Sequence, residues 1–149
     1  MADIQKILKE NYIKFDLAAT EKEAAINELA ELFNDADILT NKDEYLRAVM
    51  RREEESTTGI GFGVAIPHGK SAGVKEASLA FARSQAGISW DSMDGQPVHL
   101  MFLIAVPESS NDEHLRILSQ LARKLMHEEV REALMNADTA TALYNIFDQ

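Results

Sequence analysis

At 149 residues the chain has the length of one domain, and can bury roughly 68–70% of the surface its unfolded form exposes without a covalent staple. Cysteine is absent, which excludes disulfides, thiol catalysis and cysteine-ligated zinc, and fits a reducing compartment such as the cytoplasm. A net charge of −10, from 25 acidic and 15 basic residues, argues against nucleic acid and anionic membrane as partners.

The opening residues, MADIQKILKENYIKFD, interleave charges with apolar side chains and so read as neither a signal peptide nor a membrane span. Ile4, Ile7 and Leu8 recur at helical spacing before Asn11, and Tyr12 to Leu17 reads as a short strand. Thr20-x-x-Glu23 has the form of a capping box, ahead of an apolar stripe of Ile26, Leu29, Ala30 and Phe33 that defines a core-facing helix. A second helix starts at Asn41, a capping residue type with Glu44 three positions on, and turns Tyr45, Leu46, Val49 and Met50 inward. It runs into Arg51-Arg52-Glu53-Glu54-Glu55, which taken residue by residue reads as a solvated helix end.

After the polar Ser56-Thr57-Thr58 comes the stretch that organises the chain, GIGFGVAIPHGK from Gly59 to Lys70. Val64-Ala65-Ile66 is a short strand that Pro67 ends, because proline has no N–H to pair, and Gly69 permits close approach by a ligand or partner. His68 is then expected in an exposed loop, not buried. A lone imidazole there suits a nucleophile or an acid/base group, since it changes charge near neutral pH. From these residue types alone, a loop histidine with no role is an equal alternative.

Val74 to Arg83 reads as the next strand, Ala86-Gly87 as a turn, Ile88-Ser89-Trp90 as an edge strand and Asp94-Gly95 as a further turn. Val98 to Val106, VHLMFLIAV, ended by Pro107, is the most apolar run and is expected at the centre of the sheet, covered on both faces. Past the loop Glu108 to Asn111, a helix capped by Asn111 or Asp112 carries Leu115, Leu118, Leu121, Ala122 and Leu125 on one side. His114 falls in its first turn, where the positive end of the helix dipole favours an anion. Glu128 to Met135, and Thr139 to Phe147 after Asp138 as cap, complete a single three-layer α/β/α domain with a central mixed sheet over residues 1–149.

Other chemistries fail on spacing. His127-Glu128-Glu129 lacks the second histidine four residues on that a helical zinc site needs, and Gly59-x-Gly61-x-Gly63 is no dinucleotide fingerprint. His99, within the apolar run, reads as a satisfied core or edge histidine, and His127 as a surface histidine near a helix end.

Glu53, then Ile60-Gly61 after six residues, then Val64-Ala65-Ile66-Pro67-His68-Gly69, resembles the phosphohistidine signature of the fructose/mannitol class of enzyme IIA. These are components of the bacterial phosphoenolpyruvate-dependent sugar phosphotransferase system. The resemblance spans essentially the whole chain, including Gln96-Pro97-Val98 and Asn111-Asp112-Glu113-His114-Leu115, and is nearest the fructose branch. It implies a phosphotransferase/anion transport protein-like fold, with His68 accepting a phosphoryl group from the carrier HPr and passing it to enzyme IIB. His114 and Arg52 would stabilise the phosphate, the latter through paired hydrogen bonds. The family suggests Nε2 as the phosphorylated nitrogen. No cofactor or metal is implied, and the membrane permease IIC would be met only indirectly.

The chain end, a few residues past the last helix, implies a stand-alone IIA. Exposed apolar residues around His68, Phe62 among them, would dock HPr. A second reading is a regulatory, nitrogen-related IIA, whose phosphorylation state controls binding to other proteins. The signature recurs in both branches.

Overall fold

The computed structural model describes residues 2–110 and 112–148, without the side chains of residues 2, 3 and 113. Ile4 and Leu8 are fully buried around the first helix, α1 (Ala2–Ile7), and a 3-10 turn leads into β1 (Ile13–Lys14), shorter than the strand expected there. In α2 (Lys22–Asp35) the stripe Ile26, Leu29, Ala30 and Phe33 is wholly buried. The Thr20 capping box does not form. Glu21 takes the cap position with no side-chain bond, and the Thr20 carbonyl accepts the Ser89 N–H at 2.7 Å, because this segment is extended and bridges Ser89. In α3 (Lys42–Glu55) the Asn41 side chain accepts the Glu44 N–H at 3.0 Å, as expected of a cap.

Among the described residues six strands form a mixed sheet: β1, β2 (Gly59–Gly61), β3 (Val64–Ala65), β4 (His68–Ser71), β5 (Ser78–Ile88) and β6 (Val98–Pro107). The order is β1-β5-β6-β3-β2, with β4 also on β6. As expected, β6 is central; Val98 and Leu100 to Val106 are all buried, each large apolar side chain contributing about 1.5–3 kcal/mol. It pairs antiparallel with β5 and parallel with β3 and β4. The expected strand from Val74 begins at Ser78. Ala86-Gly87 is no turn between strands but part of a bulge, since Arg83 pairs Leu100 and Ile88 next pairs Val98. Gly87 there has φ +94° and its N–H donates to Ser84 Oγ.

The chain closes with α4 (Glu113–Leu125), α5 (Glu128–Asn136) and α6 (Ala140–Phe147). Helices α2 and α3 cover one face of the sheet, and α4, α5, α6 and α1 the other. Phe147 meets Phe102 edge-on at 5.9 Å, and the Tyr45 hydroxyl donates to the Ile104 carbonyl at 2.9 Å. In α4 the inward row is Ile117, Leu121 and Leu125, while Leu115, at the edge of the stripe, is 52% exposed. Asp112 occupies the cap position of α4 without a side-chain bond, and the alternative cap, Asn111, lies outside the described residues. Thr139, not Asp138, caps α6, accepting the Ala142 N–H. Arg83, buried under α5, donates to the carbonyls of Leu134, Met135 and Ala137 and so closes that helix's free end. Among the described residues no helix is long and apolar enough to cross a membrane.

Candidate active site

Pro67 interrupts the β6 edge without ending it. β3 pairs at Leu100 and Met101, Ile66 and Pro67 step out, and pairing resumes at His68 opposite Ile104, whose N–H donates to the Pro67 carbonyl at 3.0 Å. His68 therefore sits on a strand and is only 9% exposed, where the sequence reading placed it in an exposed loop. The cause is β6: its unpaired edge offers ladder hydrogen bonds on both sides of the proline. The close approach at Gly69 is likewise internal. A Cβ there would lie 2.7 Å from Val49 Cγ2 and 3.1 Å from the Tyr45 ring, so the glycine lets α3 pack on β4. Gly69→Ala is expected to destabilise the fold by about 1–3 kcal/mol, read as a lower urea midpoint; an unchanged midpoint would show that α3 shifts freely.

With Gly69 turned to α3, His68 and Lys70 share the other face of β4. Their cleft, about 380 Å³, is also lined by Arg51 and Arg52 from the end of α3 and by His114, Leu115 and Leu118 from the start of α4. The three predicted site residues thus meet in one place. The His68 and His114 ring centroids are 6.2 Å apart, tilted by 36°. Arg52 is tethered by a 2.8 Å bond from Nη1 to the Ser56 carbonyl.

His68 Nδ1 lies 3.0 Å from the Ile66 carbonyl oxygen. A carbonyl only accepts, so Nδ1 carries the proton and Nε2 keeps its lone pair. Burial, then the charges of Arg52 and His114, hold the imidazole pKa below the free value of 6.5; the Ile66 bond and the Glu53 carboxylate act the other way. The result is a neutral ring with one free nitrogen. His114 is also held low, by burial and then by Lys70, with Asp112 opposing; its Nδ1 is buried with no hydrogen-bond partner among the described residues.

This arrangement, a fixed neutral imidazole facing cationic side chains and a helix N-terminus, suits transfer of an anionic group. Residues 6–149 match the family model described as "Phosphoenolpyruvate-dependent sugar phosphotransferase system, EIIA 2". The chain belongs to this family. It is 42% identical over 146 residues to the PTS system fructose-specific EIIA component of Haloferax volcanii, covering 98% of this chain and 95% of that one. It is 41% identical over 146 residues to the PTS system fructose-specific EIIABC component of Bacillus subtilis, covering 98% of this chain and spanning 23% of that protein's length. Among solved structures, the nitrogen regulatory protein IIA-Ntr from Neisseria meningitidis superposes with a TM-score of 0.88 at 36% identity, covering 95% of this chain and 97% of that one.

In this EIIA 2 chain, sequence reasoning missed Lys70 and Arg51. Lys70 is two residues beyond His68, a same-face relation visible only once the segment is a strand. Arg51 and Arg52 follow Ala48 and precede Glu55 at helical spacing, so all four border the cleft. Glu53, which opens the phosphohistidine signature but by its charge run alone reads as solvated, is 5% exposed, because it continues the buried row Tyr45 and Val49 at steps of four.

Phe62 is exposed at 67%, but it borders a different cleft, with His99, Arg131 and Met135. Its hairpin lies beside the start of β6, where Gly63 accepts from the His99 and Leu100 N–H groups, four residues before the His68 partner Ile104. Leu115 is the exposed apolar residue at the His68 cleft. His99 is satisfied, with Nδ1 2.7 Å from the Ser84 carbonyl, and His127 is an exposed surface residue 3.7 Å from Glu129.

Proposed function

We propose that this EIIA 2 chain is a cytoplasmic phosphocarrier of the phosphoenolpyruvate-dependent sugar phosphotransferase system. Residues 1–149 act as one IIA domain, taking a phosphoryl group from phospho-HPr onto His68 and passing it to enzyme IIB for uptake of fructose or a related sugar. The observation that carries this reading is the bond from Nδ1 to the Ile66 carbonyl, which leaves the Nε2 lone pair for the attack. As the new Nε2–P bond forms, the donor's N–P bond breaks, and the Nδ1 proton stays on its carbonyl. No base is needed. Positioning and charge stabilisation are left to the surrounding donors: His114, Arg52 and the first turn of α4.

The higher identity to fructose-specific relatives over nearly the whole chain favours the transport role. The likeness to IIA-Ntr supports a regulatory role as the second reading. The test is to phosphorylate the protein with phosphoenolpyruvate, enzyme I and HPr, then add a fructose-type IIB. Loss of the phosphoryl mass from IIA with its gain on IIB is expected; retention on IIA would favour regulation, and no uptake by IIA would overturn both.

The pH dependence follows from the buried ring. Protonation removes the Nε2 lone pair, so acceptance falls on acidification, and a depressed pKa moves that fall to below pH 6.5. An NMR titration of His68 with a midpoint at or above 6.5 would contradict this.

A further inference from the structure

The deepest charged side chain near the site belongs to Glu53. Its side chain is 2% exposed, and its bonds lead towards His68. One oxygen accepts from Thr58 Oγ1; the other accepts from the Thr58 N–H at 3.4 Å and from Lys22 Nζ at 3.1 Å. The Thr58 carbonyl in turn accepts the Ile66 N–H at 3.1 Å. The Ile66 carbonyl is the group that His68 Nδ1 meets at 3.0 Å. Successive contacts thus lead from a buried carboxylate on α3 to Thr58, the residue before β2, from Thr58 to Ile66, and from the Ile66 carbonyl to the imidazole. The links cross the Cα atoms of Thr58 and Ile66, so the coupling is positional: anchoring Thr58 at its side chain, N–H and carbonyl, and Ile66 at its N–H, limits where the Ile66 carbonyl can point.

A buried carboxylate is costly unless it is fully bonded, and a fold could fill this place with an apolar residue at little loss. Tyr45 and Val49, on the same row of α3, are aromatic and apolar and carry no charge into the interior, the Tyr45 hydroxyl being satisfied by the Ile104 carbonyl. Glu53 also answers a charge from the opposite side: Lys22 on α2 is shared with Asp91 in the β5–β6 loop and lies over the Trp90 ring at 5.3 Å. The carboxylate therefore ties α2, α3 and the entry to β2 together behind His68.

We propose that Glu53 is a positioning residue: through Thr58 it fixes the Ile66 carbonyl, and that carbonyl fixes His68 in the tautomer with Nε2 free. This deepens the function proposed above and rests on it only for its effect on rate. The tautomer itself can be read without any phosphoryl donor, from the two ring-nitrogen NMR shifts of His68.

In the wild type at pH 8, one nitrogen is expected at the protonated and one at the unprotonated position. Glu53→Gln keeps an acceptor and loses the charge. Thr58→Val removes the hydroxyl and keeps the shape, and Thr58→Ser restores the hydroxyl. Both Glu53→Gln and Thr58→Val should move the two His68 shifts towards a common average and slow phosphoryl uptake roughly tenfold, the size expected for about 1.4 kcal/mol of lost positioning. Thr58→Ser should recover most of each.

The proposal is overturned if folded Thr58→Val and Glu53→Gln proteins lose thermal stability while His68 keeps two distinct shifts and the wild-type rate. Glu53 would then be a structural carboxylate and no more. Averaged shifts in the variants of a protein that takes up no phosphoryl group would remove the function proposed above and still support Glu53 as the residue that sets the ring.

Discussion

His68→Gln is expected to take up no acid-labile phosphoryl group from phosphoenolpyruvate, enzyme I and HPr, where the wild type gains one. The effect should be complete because the attacking atom is removed, not weakened. Glutamine is the informative substitution: His68 is 9% exposed beside β6, and a side chain of similar reach limits the cavity an alanine would leave. Its amide nitrogen can donate to the Ile66 carbonyl, but it offers no lone pair to phosphorus. Intact-mass spectrometry checks the result directly. Continued uptake by the folded variant would place the acceptor elsewhere and sink the assignment.

Arg52→Ala and His114→Ala should each keep the fold and slow transfer by about 10²-fold, the cost of losing one preorganised donor to a developing anion. Neither side chain is buried in the core. Arg52 gives up two exposed bonds to Ser56, 2.8 Å to its carbonyl and 3.3 Å to its hydroxyl, and His114 has no bonded partner at Nδ1 among the described residues. Arg52→Lys should fall in between, because it keeps the charge and loses the forked geometry. A second readout comes from His68 itself. Both side chains hold its pKa down, so either alanine should raise the midpoint towards 6.5. Wild-type rates in both variants would show that the donors lie elsewhere, with Lys70 and Arg51 the next to replace.

Alternation and helical periodicity sufficed for much of the architecture. Val98 to Val106, apolar almost throughout, short and ended by Pro107, fitted a strand covered on both faces, and the stripe Ile26, Leu29, Ala30 and Phe33 fitted a helix facing a core. The signature from Glu53 to Gly69 was enough to indicate the family and to put His68 forward as the acceptor. What it could not give was the setting of the histidine. Local signals at Pro67 said that pairing stops, and the edge of β6, thirty-odd residues further on, resumed it at His68.

The same holds for Glu53, which looks solvated beside Arg52 and Glu54 but turns inward because Tyr45 and Val49 set the buried row of α3. Which imidazole nitrogen is free is likewise a tertiary matter, decided by where the Ile66 carbonyl points. Residue identities and their spacing along the chain determined the main helices, the central strand and the family, and singled out His68 as the proposed acceptor. Burial, the tautomer and the company of Lys70 and Arg51 were decided only when distant segments met, because desolvation and hydrogen bonding depend on what lies across space.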